Sequence, residues 1–546
     1  MKNLIKRTPK VVSILKKVTF VFFALFCFIS YSQSWDYINF QQQSNNTVPE
    51  ILGATIDAND NIYCIENLLT YSSATITRRL SKYSNGLLVT TSPFNFGVNF
   101  TPGDGNPSNS ITSGPNNIYL VGSGKIYRID HTLTTRTLIR NITTTNGSIS
   151  LNSVFFSNGK LYISGNLYDN NVIASVNFGN NYSAVPVTNE AFVAIYDING
   201  TCLSVTKIGD SHFQYRTDIV VATNGDIFAT YANATDTPST HRVVKKLNAI
   251  GNIDVQWGTK NLPVNPYNVH NIDIKCDPDN SSIYVGSGNL VLKYNATSTG
   301  ALIQTKNFSS DVYIKQLIIN NCGLVGITGG KLHQIGSSFY SASYDKNTNG
   351  SIIHWSSNGS SRNSEGVGIL SDTDGKFNIL GSHSSTITIS GSNISPTSQP
   401  FSALRRAGTF IGRVDNSTLN SGAKAAASFI NPIRIIQKDS KYGPGDVAIL
   451  CLSSDLLVDG SLSSCESGYF VGLSIFDLDS WVDIGTPLYA NWVSPNGQAP
   501  SDIKITDFLP QGYQLRPNKV YKFRLAVGSI WDAVDLFFMI DCCSEL

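Results

Sequence analysis

Charge, methionine and long apolar runs are all scarce in this chain. Only 14% of its 546 residues are Asp, Glu, Lys or Arg, and Met occurs twice. No basic stripe interleaved with aromatics is present, which excludes the usual electrostatic footprint of a nucleic-acid surface. After Ile29 no apolar run approaches the roughly 18 residues that a membrane-spanning helix needs, so no transmembrane helix is expected there. HExxH, HxH, GxSxG and CxxC are missing, which sets aside the common zinc-hydrolase, α/β-hydrolase and thiol-redox signatures. Disorder is excluded as well, because Phe, Trp and Tyr make up 10% of the residues.

The charge that does exist is unevenly placed. Lys2, Lys6, Arg7, Lys10, Lys16 and Lys17 precede the short apolar run Val18 to Ile29, and Ser30-Tyr31-Ser32 offers small residues before Gln33. That order is the pattern of a secretion signal, with cleavage expected after Ser32. Beyond residue 32 the chain holds 34 basic and 38 acidic side chains, so its net charge there is negative. The expected location is secreted or at the cell surface. Export permits disulfides. Cys64, Cys202, Cys276 and Cys322 are scattered singly and read as core thiols. Cys451, Cys465, Cys542 and Cys543 cluster near the end and are the disulfide candidates, with connectivity open.

What is abundant is Gly, Ser, Asn and Thr between short β-branched runs. Residues 217–261 set the pattern: an apolar strand, an Asn-Gly turn, a second strand, a polar loop, a third strand, a turn at Gly251 and a fourth strand. Seven such inner hairpins start at Gly53, Ser110, Asn152, Asp218, Asp273, Lys315 and Gly366. Asn-Gly and Asp-Gly turns supply the positive φ that tight hairpins require. Third strands follow in RRLSKYSNG, KIYRIDHTL, AFVAIYDINGT, RVVKKLNAIGN, LVLKYNATSTG and TFIGRVDNSTL. A spacing of roughly 40–60 residues fits four-stranded propeller blades. Six to eight blades fit and seven is the count of hairpins; the sixth is weakest, since Lys331 to Tyr340 makes poor outer strands. Trp35-Asp36-Tyr37-Ile38 either completes a blade from the far end of the chain or packs as a separate strand at its side.

The run Phe192-Val193-Ala194-Ile195-Tyr196-Asp197-Ile198-Asn199-Gly200 and the hairpin from Asp218 to Phe228 resemble the bacterial secreted β-propeller repeat family. The resemblance covers about 370 residues and speaks to architecture, because a fold does not fix an activity. It implies an inner-strand Asp that ties neighbouring blades; Gly53, Asn109, Asn152 and Lys315 stand near that position instead. From about Ala425 the character changes. Alternation in Tyr521-Lys522-Phe523-Arg524-Leu525-Ala526-Val527 marks a half-buried strand. With Asp459-Gly460-Ser461, this part resembles the PKD-like and Ig-like sandwich modules of surface proteins from Bacteroidetes. The fold expected is therefore all-β: a secretion signal over 1–32, a β-propeller of about seven blades over 33–427, and a C-terminal β-sandwich over 428–546.

Chemistry-bearing residues are dispersed. The seven histidines fall about one per blade, with no metal-binding spacing. Asp57-Ala58-Asn59-Asp60-Asn61, Asp277-Pro278-Asp279-Asn280 and Asp372-Thr373-Asp374-Gly375 have the look of calcium loops but lack a distal glutamate. Asx-turn chemistry accounts for all three without an ion, so no metal or cofactor is expected. Aligned on their turns, Asn109, Asn152, Asp218, Asp273 and Lys315 fall at one inner-strand position near the axis. The loops entering these strands carry His212, Tyr215, Arg216, Tyr267, His270, Tyr313, His354, Trp355 and Arg362. Aromatics beside hydrogen-bonding groups suit carbohydrate or peptide recognition. The expected function is a non-catalytic ligand-binding face for a glycan or an envelope protein. The alternatives are a polysaccharide hydrolase or lyase using Asp218 and Asp273, and a scaffold with protein partners alone.

Overall fold

Hairpin turns organise the chain, and their side chains show how. The Asp57 carboxylate accepts the amides of Asn59 and Asn61 at 2.9 Å each. Asp197 does the same for Asn199 and Thr201, and Asn248 for Ile250 and Asn252. Each of these turns is closed from inside by its own first residue, the chemistry that makes Asp and Asn favoured there. At Asn158-Gly159 both residues take positive φ (49° and 70°), as a two-residue hairpin needs.

The computed structural model describes residues 35–541 except 42–46, 71–74, 97–108, 146, 170–174, 181, 185–189, 210–212, 235–240, 264–271, 298, 321–322, 334–335, 347–352, 359–363, 384–386, 390–391, 395–407, 415–426, 431, 433, 439–444, 452–455, 461–468, 479–481, 495–501, 518 and 528–531. The secretion-signal reading of residues 1–32 lies outside the described residues, as do Cys322, Cys465, Cys542 and Cys543. Among the described residues the structure is all-β, with one short 3-10 turn at Ile505–Phe508. No helix among them is long and apolar enough to cross a membrane.

Seven successive antiparallel sheets follow one another along the chain. Their inner strands are Thr47–Ile56, Ile111–Ser113, Gly147–Ser157, Phe213–Val221, Ile272–Cys276, Val312–Ile319 and Glu365–Ser371. Each inner strand lies against the inner strand of the next sheet, and Glu365–Ser371 returns to Thr47–Ile56. Six of the sheets take their first four strands in chain order. The last is ordered Glu365–Ser371, Phe377–His383, Gly408–Val414 and then Trp35–Gln41, so its outermost strand comes from the beginning of the chain. Of the two readings of Trp35 to Ile38, the structure takes the blade-completing one.

The sixth sheet corrects the sequence reading. Leu324–His333 and Gly336–Asp345 form one long hairpin, paired from Leu324 with Asp345 to His333 with Gly336. Serines hid this strand. Ser338, Ser341 and Ser343 are buried, and the Ser341 hydroxyl donates to the Ile327 carbonyl at 2.6 Å. Hydropathy scores such a strand as exposed, whereas hydroxyls bonded like those of Ser338 and Ser341 can sit inside.

Gly408–Val414 is the last strand of the seven sheets. Beyond it, a six-stranded sheet runs Arg434–Lys438, Gly445–Cys451, Asp532–Asp541, Val520–Val527, Tyr469–Asp477, Val482–Ser494, with one parallel pair. A three-stranded sheet of Ser428–Phe429, Leu457–Asp459 and Ile503–Lys504 accompanies it. Tyr521, Phe523 and Leu525 are buried together with Val458, Ile503 and Ile505. Lys522 and Arg524 instead pair with Asp483 and Asp535, as the alternation predicts. One apolar cluster runs from Leu324, Phe339, Phe377 and Phe410 of the last two propeller-like sheets into this C-terminal part.

Candidate functional site

Counting back four residues from the first residue of each inner turn gives one structural position in every sheet. It is occupied by Gly53, Ser110, Ser153, Asp218, Asp273, Gln316 and Gly368. This corrects the sequence alignment: Asn109, Asn152 and Lys315 each precede the position by one. For Asn152 the reason is turn length: Asn158-Gly159 alone links Ser157 to Lys160, whereas Asn224-Gly225 lies in a longer turn between Ala222 and Asp226, so Asn-Gly does not mark one fixed position. Pairing with the second strand slips between Leu151 and Ser153, and again between Ile314 and Gln316, so Asn152 and Lys315 stand out of the ladder.

The corrected position carries a repeated staple. Asp218 Oδ2 accepts the amide of Ile274 at 3.1 Å, Asp273 Oδ2 that of Leu317 at 2.6 Å, and Gln316 Oε1 that of Ile369 at 2.7 Å. Each side chain thus bonds the backbone of the following sheet. Asp273 also accepts from Asn109 Nδ2, beside the second sheet, at 2.8 Å and from Lys275 Nζ of its own strand at 2.7 Å. Gln316 Nε2 lies 3.4 Å from Asn109 Oδ1. Residues at the inner strands of the second, fifth and sixth sheets therefore meet in one polar knot.

Burial sets the charge state of that knot. Asp218 is 2% exposed, and desolvation pushes its pKa up to about 7; Lys275 opposes the rise, and the adjacent Asp273 carboxylate adds to it. Burial pulls Lys275 down, but Asp273 and Asp218 outweigh it and hold the ammonium charged. Asp218 and Asp273 are a close acid pair, yet both are buried and bonded to the scaffold rather than lining a cleft. Lys275 and Gln316 are members that sequence reasoning missed. Lys275 was within reach, since it lies two residues from Asp273 and so on the same strand face.

At the entry end of the inner strands a second cluster forms. Tyr313 Oη donates to Glu365 Oε2 at 3.0 Å, and Lys315 Nζ sits 2.7 Å from the same oxygen. Tyr313 and Glu365 are buried, whereas the Lys315 side chain keeps 25% exposure. Glu365 was missed because it falls one residue before the recognisable hairpin. Arg216, also at this end, is half-buried at a bulge with φ of 57°, a left-handed conformation uncommon for a long side chain. Trp355 lies elsewhere: it is buried in the core, edge-on to Trp35 with ring centroids 6.4 Å apart. Its expected place in a binding rim is therefore corrected to packing. Tyr215 is described as backbone, paired with Ala232. His212, Tyr267, His270 and Arg362 lie outside the described residues.

The opposite end carries the calcium-like loops, and in two of the three a cation of the chain sits at the carboxylates. Lys346 Nζ lies 2.7 and 2.8 Å from the two Asp277 oxygens and 3.3 Å from Asp279. Arg413 reaches Asp372 at 2.6 Å and Asp374 at 2.5 Å. Among the described residues no group of three or more His, Cys, Asp or Glu is arranged to hold a metal. Cys64, Cys202 and Cys276 are free thiols, and burial pushes that of Cys276 up to about 12. Cys451 pairs through its backbone with Asp541.

No family model matches the chain, and no curated protein does. Solved structures similar to it include β-propeller proteins. Sqt1 of Chaetomium thermophilum, bound to the N-terminus of ribosomal protein L10, is 10% identical, with a TM-score of 0.38 over 64% of this chain and 98% of that one. The β-propeller domain of the trilobed protease from Pyrococcus furiosus is 10% identical, with a TM-score of 0.39 over 66% and 98%. A protein of unknown function from Dyadobacter fermentans is 8% identical, with a TM-score of 0.39 over 70% and 100%.

Proposed function

We propose that the chain is an exported, non-catalytic binding protein that recognises a glycan or an envelope protein. In this reading the seven sheets are the blades of a closed propeller, the N-terminal strand is its clasp, and the C-terminal sheets form a sandwich module. The return of the last inner strand to the first, and the strand Trp35–Gln41 in the last sheet, support closure.

The observation that carries the functional reading is the state of Asp218 and Asp273. Both are buried and engaged by backbone amides of the next sheet, so they are spent on the scaffold. A glycosidase needs two carboxyls flanking a substrate in an open cleft, with separations of roughly 5–10 Å. The polysaccharide-hydrolase alternative is accordingly disfavoured. Recognition falls instead to the entry end, where Arg216 and Lys315 are partly exposed, Lys315 while paired with Glu365.

A glycan array and a pull-down from envelope extract, each run with the intact chain and with Lys315→Ala and Arg216→Ala, test this. Binding that drops several-fold in those variants supports the reading. Release of reducing ends from a polysaccharide, lost in Asp218→Asn, overturns it.

A further inference from the structure

Away from the axis, the outer edge between the first and second sheets holds an arrangement that neither the staples nor the entry end explains. The guanidinium carbon of Arg136 lies 4.9 Å from the ring centre of Phe94 and 5.3 Å from those of Phe96 and Tyr127. Phe94 and Phe96 meet edge to face at 87° with centroids 5.5 Å apart; Phe96 and Tyr127 meet at 69° and 5.8 Å. Three rings at steep angles thus turn toward one point, and that point holds a cation. Elsewhere Lys82 covers Tyr63, Lys246 covers Phe228 and Lys293 covers Tyr284, one ring each.

We infer that Phe94, Phe96 and Tyr127 form a cage for a methylated ammonium group, which Arg136 of the same chain occupies when that ligand is absent. The ring faces carry the negative end of the aromatic quadrupole, so a cage of them favours a cation that needs no hydrogen bond. A methylated ammonium fits that description, whereas a guanidinium carries five donors that the rings do not satisfy.

The walls are built in advance. All three rings pack against the core cluster of Tyr63, Ile65, Leu80 and Ile118. The loop that carries Phe94 and Phe96 is pinned to Arg78: its carbonyl accepts the Phe96 amide at 3.0 Å, and its amide donates to Asn95 Oδ1 at 3.1 Å. The occupant is held more loosely. Arg136 is exposed, begins the outer strand Arg136–Asn141, and donates to the Asn95 carbonyl at 3.3 Å. Its side chain swings out without disturbing a ladder bond, because none of its strand pairing involves the guanidinium.

Calorimetric titration of the full chain with tetramethylammonium chloride, against sodium chloride at the same ionic strength, tests the cage. Arg136→Ala should bind about ten-fold more tightly than the unsubstituted chain, because the ligand no longer has to displace a resident cation from the rings. Arg136→Gln, which keeps most of the side chain on the outer strand, should show the same increase if the alanine variant folds poorly. Adding Phe96→Ala to either variant should abolish the binding, and tert-butanol, neutral but of similar shape, should not bind. Choline and a trimethyllysine peptide then separate a free ammonium from a protein-borne one. Absence of binding in both Arg136 variants, or binding that survives Phe96→Ala, overturns the inference.

Discussion

Replacing Asp218 by Asn should flatten the dependence of stability on pH. In the unfolded chain the carboxyl releases its proton near 3.8, whereas in the folded chain it holds the proton to about 7. Between those values the folded state binds more protons, so stability falls as pH rises through the window and loses nothing further above it. The Asn variant lacks that titration, and its advantage over the parent should grow from about pH 4 to about pH 7 and then level off. Denaturant midpoints measured across that range check it; parallel curves for the two proteins would show that Asp218 does not retain its proton in the fold. At the same scale, the acidic turns draw on partners within the chain. Burial works to raise the Asp57 pKa, yet bonds from Asn61, Asn59 and Tyr63 hold it below the usual carboxylate range. At Asp372 burial wins over Arg413 and raises it. Partners within the chain thus outweigh burial at Asp57 and offset it only in part at Asp372.

Among the strands, Trp35–Gln41 is open to a test by a single substitution. It pairs with Gly408–Val414 from Trp35 opposite Val414 to Gln41 opposite Thr409, and the Trp35 indole covers the face of Gly412. A Cβ at position 412 would fall 2.3 Å from that ring, so Gly412→Ala must displace it. Overpacking of this kind costs about 1–3 kcal/mol. The expected readouts are a lower denaturant midpoint and a shift in tryptophan emission; an unchanged spectrum would place the indole elsewhere. A separate link joins the first sheet to the last: Asp60, in the first sheet's inner turn, accepts the Thr373 amide at 2.8 Å and its hydroxyl at 2.6 Å. Hairpins and third strands were legible in the sequence because their turns carry their own closing groups within about five residues. The inner-strand register was not, since Asn-Gly closes turns of unequal length and so does not mark one fixed position in every hairpin.

On the scale of the whole molecule, the apolar cluster joining the last two propeller-like sheets to the C-terminal sheets predicts coupled unfolding. Calorimetry should show one main transition. Removing residues 428–546 should lower its midpoint and expose apolar surface to a hydrophobic dye, because Val471, Phe523 and Phe538 belong to the same cluster as Phe339 and Phe410. Two well-separated transitions, the first insensitive to the truncation, would show that the parts fold independently. The binding readings also belong to this scale. The entry end is assembled from Arg216, Tyr313, Lys315 and Glu365, and the aromatic cage from Phe94, Phe96, Tyr127 and Arg136, each drawn from several strands and loops.

By itself the sequence determined that strands alternate with tight turns, where most of those turns lie, and that no dense catalytic or metal motif is present. These are local matters: Asn-Gly geometry, Asx bonds and period-two alternation act over a few residues. The tertiary structure alone decided that Asn109 meets Asp273, that Lys346 fills the Asp277 turn, and that the first strand completes the last sheet. Those contacts join residues 164, 69 and hundreds of positions apart. Nothing in their neighbours' chemistry encodes such pairings; they follow from how the successive sheets pack against one another.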